Sequence, residues 1–191
     1  MTEEPDTTPR PLWVFGYGSL LWNPGFEVSE KRLATLHGFR RSFCMSSIHH
    51  RGTEEDPGLV LALDPHAGTS CTGIAFRVPD ARADETVQYL RERELISSAY
   101  VERVLPVIDE NGAEISALVY VVDTDHVQYV GGMALDEQAR IIAHAVGGRG
   151  PNTEYLWNTY AHLEELGIHD PDLGWLDQKV RELVAAGSSQ G

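Results

Sequence analysis

A carboxylate set on the apolar stripe of a helix is the residue in this chain best suited to proton transfer. Between Ala81 and Ile96 the apolar positions Ala83, Val87 and Leu90 recur at spacings of four and three, and the next position of that stripe is Glu94. A carboxyl there points toward the core, unlike Glu92 on the outer face. Burial without a full partner raises a carboxyl pKa toward neutrality, where one group can serve first as base and then as acid. The same position also allows a plain ion pair with Arg91 or Arg93, which would make Glu94 structural.

The second candidate is the stretch Val14-Phe15-Gly16-Tyr17-Gly18-Ser19-Leu20-Leu21-Trp22. Bulky β-favouring residues lead into two glycines that can take positive φ, and the N–H groups of such a turn can converge on an anion. A dinucleotide fingerprint would need glycine at position 21, where Leu21 stands, and a phosphate loop would need Gly-Lys-Ser/Thr, which is absent. A nucleophile elbow would place serine between the glycines; Tyr17 is there instead, and Ser19 follows. What remains is a turn that could grip a carboxylate or an amino-acid backbone, or an ordinary strand-to-turn junction.

The other reactive residue types form no clear constellation. His49 and His50 are adjacent, so they face opposite ways on an extended chain, and His37, His66, His126, His144, His162 and His169 are scattered. No metal site is expected. Cys44 could be a nucleophile activated by His49 or His50, although its alternation with Phe43 suits a small buried hydrophobe. Arg40, Arg41 and Arg51 follow the second strand closely enough to meet an anionic substrate, and each could equally be surface charge.

The elements that must position these residues fit one domain of 191 residues. Hydrophobic content of 42% and charged content of 23% are those of a globular protein, and the net charge of -14 argues against nucleic acid or an anionic membrane as partner. Cys44 and Cys71 make no disulfide framework, and no apolar run is long enough to cross a bilayer. Residues 1–10 are expected to be a disordered leader without the apolar segment of a signal peptide, residues 11–185 the domain, and residues 186–191 a flexible tail in a cytoplasmic protein.

Strands are expected at Trp13 to Tyr17, Ala34 to Phe43, Leu59 to Leu63, Cys71 to Val78, Tyr100 to Ile108 and Ile115 to Val122, with a polar loop from Ile48 to Pro57 and a turn from Asp64 to Gly68. Helices are expected at Ala81 to Ile96, at Leu135 to Val146, after an Asn152 cap, and at Asp172 to Ala185 after the Asp170-Pro171 cap. The fold class is α+β: a mostly antiparallel, barrel-like sheet surrounded by helices.

Taken together, these blocks resemble the ChaC-like, glutathione-specific γ-glutamylcyclotransferases. The glycine stretch Val14 to Trp22 is similar to the family signature. Arg40-Arg41-Ser42-Phe43-Cys44 through His50-Arg51-Gly52-Thr53 and Pro57-Gly58 is similar to its second block. Tyr89-Leu90-Arg91-Glu92-Arg93-Glu94, with Tyr100 six residues later, resembles the block holding the catalytic glutamate. Asn152-Thr153-Glu154-Tyr155-Leu156, then Leu166 to Asp170 and Leu173, resembles the C-terminal helical block. Ser98-Ala99 departs from the Gly-Gly or Gly-Val of many members.

The resemblance implies cyclisation of the γ-glutamyl group of glutathione to 5-oxoproline with release of Cys-Gly and no cofactor. It implies Glu94 as general base and acid, and Phe15, Gly16, Tyr17, Gly18, Ser19, Leu20 and Tyr100 as substrate contacts. Arg51 or Arg40 is expected to meet the glycyl carboxylate. Other γ-glutamyl amino acids or amines, a non-catalytic γ-glutamyl-binding role and a Cys44 hydrolase are the alternatives.

Overall fold

The computed structural model describes residues 10 to 189, so residues 1–9 of the expected leader and the last two positions of the expected tail lie outside the described residues. Five strands close into a barrel: β1 (Trp13–Gly16), β2 (Glu30–Ser47), β3 (Gly58–Arg77), β4 (Tyr100–Asp109) and β5 (Glu114–Val122), in the order β1-β3-β2-β4-β5. Every neighbouring pair is antiparallel except the closing seam, where β1 meets β5 in parallel at Val14 and Leu118. Four helices pack outside: α1 (Ala83–Glu94), α2 (Leu135–His144), α3 (Asn152–Glu165) and α4 (Pro171–Ser188). A two-residue ribbon, β6 (Val146–Gly147) and β7 (Gly150–Pro151), joins α2 to α3. This is the expected α+β class. Among the described residues no helix is long and apolar enough to cross a membrane.

Strand alternation sends buried side chains both into the barrel and onto its outer face. Trp13, Phe15, Leu36, Leu63, Val107 and Val119 belong to one buried cluster, to which all five strands contribute. On β1, Val14 points the other way and packs with Leu90 of α1. A larger cluster joins Phe43, Leu61 and Phe76 to Ile142, Leu156, Leu163, Leu173 and Leu176 of α2, α3 and α4.

Several expected boundaries differ. Asp64 to Gly68 does not reverse the chain: Pro65 lies opposite Phe39 of β2 and Ser70 opposite His37, so the ladder resumes after a short excursion. Gly38 and Gly68, at φ +85 and +80, let both strands turn at that shift. Helix α1 ends at Glu94 rather than Ile96, while α4 runs to Ser188, beyond the expected Ala185. Asn152 is not a cap. Its buried side chain accepts from Leu59 N at 2.7 Å and donates to Leu59 O at 2.8 Å, fastening α3 to β3. Asp170 is the cap expected of it, accepting from Leu173 N at 3.1 Å.

The loop between Ile48 and Pro57 is held backbone to backbone. Gly148 N donates to His49 O at 2.7 Å and Arg149 N to His50 O at 2.9 Å. A Cβ on Gly147 would collide with the Gly52 backbone, and one on Gly52 with that of Gly58. Close approach, not positive φ, is what requires glycine here.

Candidate active site

Where β1 ends, Ser19 to Leu21 make one 3-10 turn: Leu21 N donates to Gly18 O and Asn23 N to Ser19 O, both at 2.9 Å. Contrary to expectation, neither Gly16 nor Gly18 has positive φ. Gly16 is a packing residue, since a Cβ there would lie 2.9 Å from the Phe76 ring and 3.2 Å from Leu20 Cβ. Gly18 sits at φ -133, ψ -123, outside the main regions open to residues with a Cβ, and a Cβ there would enter open space.

Two arginines, Arg41 buried and Arg93 partly buried, tie the turn to the rest of the molecule. Arg41, expected only as a possible anion contact, donates to Tyr17 O at 2.7 Å, to Thr72 O, and to Asp170 at 2.9 Å. One guanidinium thereby joins the turn, β3 and the cap of α4. Arg93 donates to Ser19 Oγ at 3.1 Å and to the carbonyls of Asn23 (2.9 Å) and Pro24 (3.2 Å), fixing the end of α1 against the turn.

Beside the turn opens a cleft of about 490 Å³, measured out to its mouth. Phe15, Tyr17, Gly18, Ser19, Leu20, Glu94 and Tyr100, residues that the resemblance implies for the site, all line it; Gly16 supports it from beneath. Glu94 is the only carboxylate in that lining, with its side chain 19% exposed. Burial raises its pKa above the ordinary value, and the Arg93 charge, whose Nε lies 3.4 Å from the carboxylate, opposes that shift less strongly.

Val60, Leu61, Tyr120 and Tyr155 complete the lining and were missed in the sequence. Burial lifts the phenol pKa of Tyr17, Tyr100, Tyr120 and Tyr155, the last to about 12, so all four hydroxyls stay protonated at neutral pH. The Tyr155 hydroxyl accepts from Leu61 N at 3.2 Å, and Tyr100 donates to Leu61 O at 3.4 Å. Tyr120 donates to Glu102 at 3.0 Å, which Arg91 holds in turn at 2.8 Å.

Arg40 and Arg51 do not reach this cleft. Arg40 pairs with buried Asp64 at 3.2 Å, an aspartate that also accepts from Tyr129 at 2.7 Å. Arg51 donates to the carbonyls of Arg149 (3.0 Å) and Pro151 (3.2 Å) and lies 5.7 Å over the Tyr155 ring. Cys44 is buried and its thiol is pushed up to about 12, so little thiolate exists to attack anything. Ser98, in the turn from α1 to Tyr100, has φ +57, the left-handed conformation that favours glycine.

A closed barrel with a glycine turn at one strand end and a partly buried carboxylate across a cleft is an arrangement able to move protons, and solved structures share the fold. The crystal structure of the γ-glutamyl cyclotransferase specific to glutathione from yeast superposes with a TM-score of 0.80 at 26% identity, covering 91% of this chain and 96% of that one. The model of the family described as ChaC-like protein matches residues 12–185, and the chain belongs to that family. The glutathione-specific γ-glutamylcyclotransferase of Escherichia coli (strain K12) is 35% identical over 95% of this chain and 78% of its own length. γ-Glutamylcyclotransferase 2-3 of Arabidopsis thaliana is 31% identical, over 91% and 90%.

Proposed function

We propose that the chain is a γ-glutamylcyclotransferase acting on glutathione, with Glu94 as its general base and acid. The observation that carries this reading is the lone, largely desolvated Glu94 carboxylate facing a cleft floored by the glycine turn. The α-nitrogen of the γ-glutamyl group attacks its own γ-carbonyl carbon; the new C–N bond closes 5-oxoproline as the bond to the cysteinyl nitrogen breaks. The α-ammonium cannot attack, so Glu94 removes a proton from it and then delivers one to the departing nitrogen. Over the cycle the two protons lost by the α-nitrogen equal the two gained by the cysteinyl nitrogen, and no water is consumed.

The turn suits a cradle for the γ-glutamyl group. The carbonyls of Tyr17, Gly18 and Ser19 are taken by Arg41, Leu21 and Asn23, while the N–H groups of Gly18, Ser19 and Leu20 have no acceptor among the described residues. Those N–H groups can receive the α-carboxylate or the oxygen on which charge develops. Folding the γ-glutamyl chain against Tyr17 and Tyr100 makes ring closure an intramolecular step with little entropy left to lose. Free, buried Cys44 and Cys71 fit a reducing cytoplasm.

The test offers glutathione, γ-glutamyl-alanine and γ-glutamyl-lysine and follows 5-oxoproline by mass. Glutathione is expected to be preferred clearly; preference for either of the others would falsify the substrate assignment. Glu94→Gln keeps the side chain's shape and should lower kcat by roughly 10²–10⁴-fold. Activity within about tenfold of wild type, roughly 1.4 kcal/mol in barrier, removes Glu94 from the mechanism.

A further inference from the structure

A second cleft, of about 730 Å³ to its mouth, adjoins the first and shares Val60, Glu94 and Tyr100 with it. Glu94 therefore stands at the junction. If the γ-glutamyl group occupies the turn side, bond breaking at Glu94 directs the departing half of the substrate into this second space. Its far lining includes Ser47, His49, His50, Arg93 and Gln128, and Glu94 is its only acidic side chain.

Of the basic side chains there, Arg93 is already committed to Ser19, Asn23 and Pro24. The imidazoles of His49 and His50 have no hydrogen-bond partner among the described residues, although Gly148 and Arg149 anchor their backbone carbonyls. Both line one cleft because the chain has left β2 and bends, which removes the opposite-facing rule of an extended strand. Burial, and after it the charges of Arg149, His49 and Arg51, lowers the His50 pKa, so this imidazole would meet an anion as a neutral N–H donor. Arg149 and Arg51 place fixed positive charge beside this rim on a chain of net charge -14.

We propose that this cleft is the leaving-group subsite and that His49 and His50 bind a terminal carboxylate on it, selecting peptide-like leaving groups over amines. The assignment rests on the cyclotransferase reading above. It replaces Arg40 and Arg51, whose guanidinium groups are spent elsewhere, as partners of the glycyl carboxylate. A cationic amine leaving group would instead meet the Arg93 charge, with only Glu94 to offset it.

The experiment compares kcat/KM for glutathione and its glycyl ethyl monoester, which differ only in that carboxylate. Wild type is expected to favour glutathione by about tenfold or more, chiefly through KM. In His49→Ala/His50→Ala the ratio should collapse toward one, with the urea midpoint confirming an intact fold. A wild-type ratio near one, or a ratio unmoved in the double variant, overturns the subsite while leaving the activity reading standing. If neither substrate yields 5-oxoproline, the activity reading is overturned. Calorimetric titration of cysteinylglycine against its ethyl ester then decides the subsite alone: tighter binding of the free acid, lost in the double variant, supports it, and equal binding overturns it.

Discussion

Replacing Arg41 by methionine should damage stability and catalysis together, because one side chain holds three separate pieces in place. Its guanidinium is 3% exposed, and Asp170 opposite it 12%. Methionine fills much the same volume but leaves the carbonyls of Tyr17 and Thr72 without their donor and Asp170 without its cation. A buried unsatisfied polar group costs about 1–3 kcal/mol, and breaking one partner of a buried ion pair about 3–5 kcal/mol. The losses overlap, and Asp170 keeps its bond from Leu173 N, so about 3–5 kcal/mol in all is expected. That is a large part of the 5–15 kcal/mol typical of a domain, yet leaves a folded population to assay. Urea unfolding followed by fluorescence of the four tryptophans measures the first effect. Release of 5-oxoproline under strongly native conditions measures the second, and kcat should fall at least tenfold because Tyr17 O is no longer held. Arg41→Lys keeps the charge but not the fork, and should lie between the two. A methionine variant within about 0.5 kcal/mol of wild type, with unchanged kcat, would refute the idea that this guanidinium sets the turn.

Further outcomes follow from single side chains. The fold favours the neutral form of Glu94, so ionisation subtracts stability as pH rises from the unfolded pKa through the raised folded one. Glu94→Gln should therefore melt higher than wild type near pH 8, with the gap closing by about pH 4; a gap that grows on acidification contradicts the burial account. Asn152→Ala strands Leu59 N and O and should cost roughly 2–4 kcal/mol by urea titration, whereas a shift below about 0.5 kcal/mol would show α3 docks without it. Ser98→Gly relieves a left-handed φ of 57 and should gain up to about 1 kcal/mol in thermal melting, with loss of stability the refuting result. Cys44→Ala should leave 5-oxoproline release intact, since the thiol is pushed up to about 12; an inactive but folded variant would restore the thiol to the mechanism.

The parts of the site legible in the sequence were those with local periodicity. The stripe Ala83, Val87, Leu90 set the direction of Glu94 before any tertiary contact was known, and the broken strand at Gly16 to Leu20 marked the turn. Tyr120 and Tyr155 were not legible as site residues, because an inward tyrosine on an apolar strand or helix reads the same whether it meets core or cleft. Arg40 and Arg51 misled because their partners, Asp64 and the carbonyls of Arg149 and Pro151, lie far along the chain or on bare backbone. Asn152 misled for the same reason: a cap is local, and the Leu59 backbone is not. The resumed ladder between β2 and β3 depends on pairing register, which no single segment encodes.

The glycine contacts beneath the His49–His50 loop have a consequence for biosynthesis. All five barrel strands are complete once Val122 is made, but the loop rests on Gly147 to Arg149, and Asn152 reaches back 93 residues to Leu59. Contacts of such separation form late, after the loop-closure cost has been met. A chain still emerging from the ribosome can thus pair its strands while Tyr155 and the anchored rim are absent. The cleft therefore gains its Tyr155 wall and its anchored rim only when the carboxyl-terminal third has docked, so the barrel precedes the finished site.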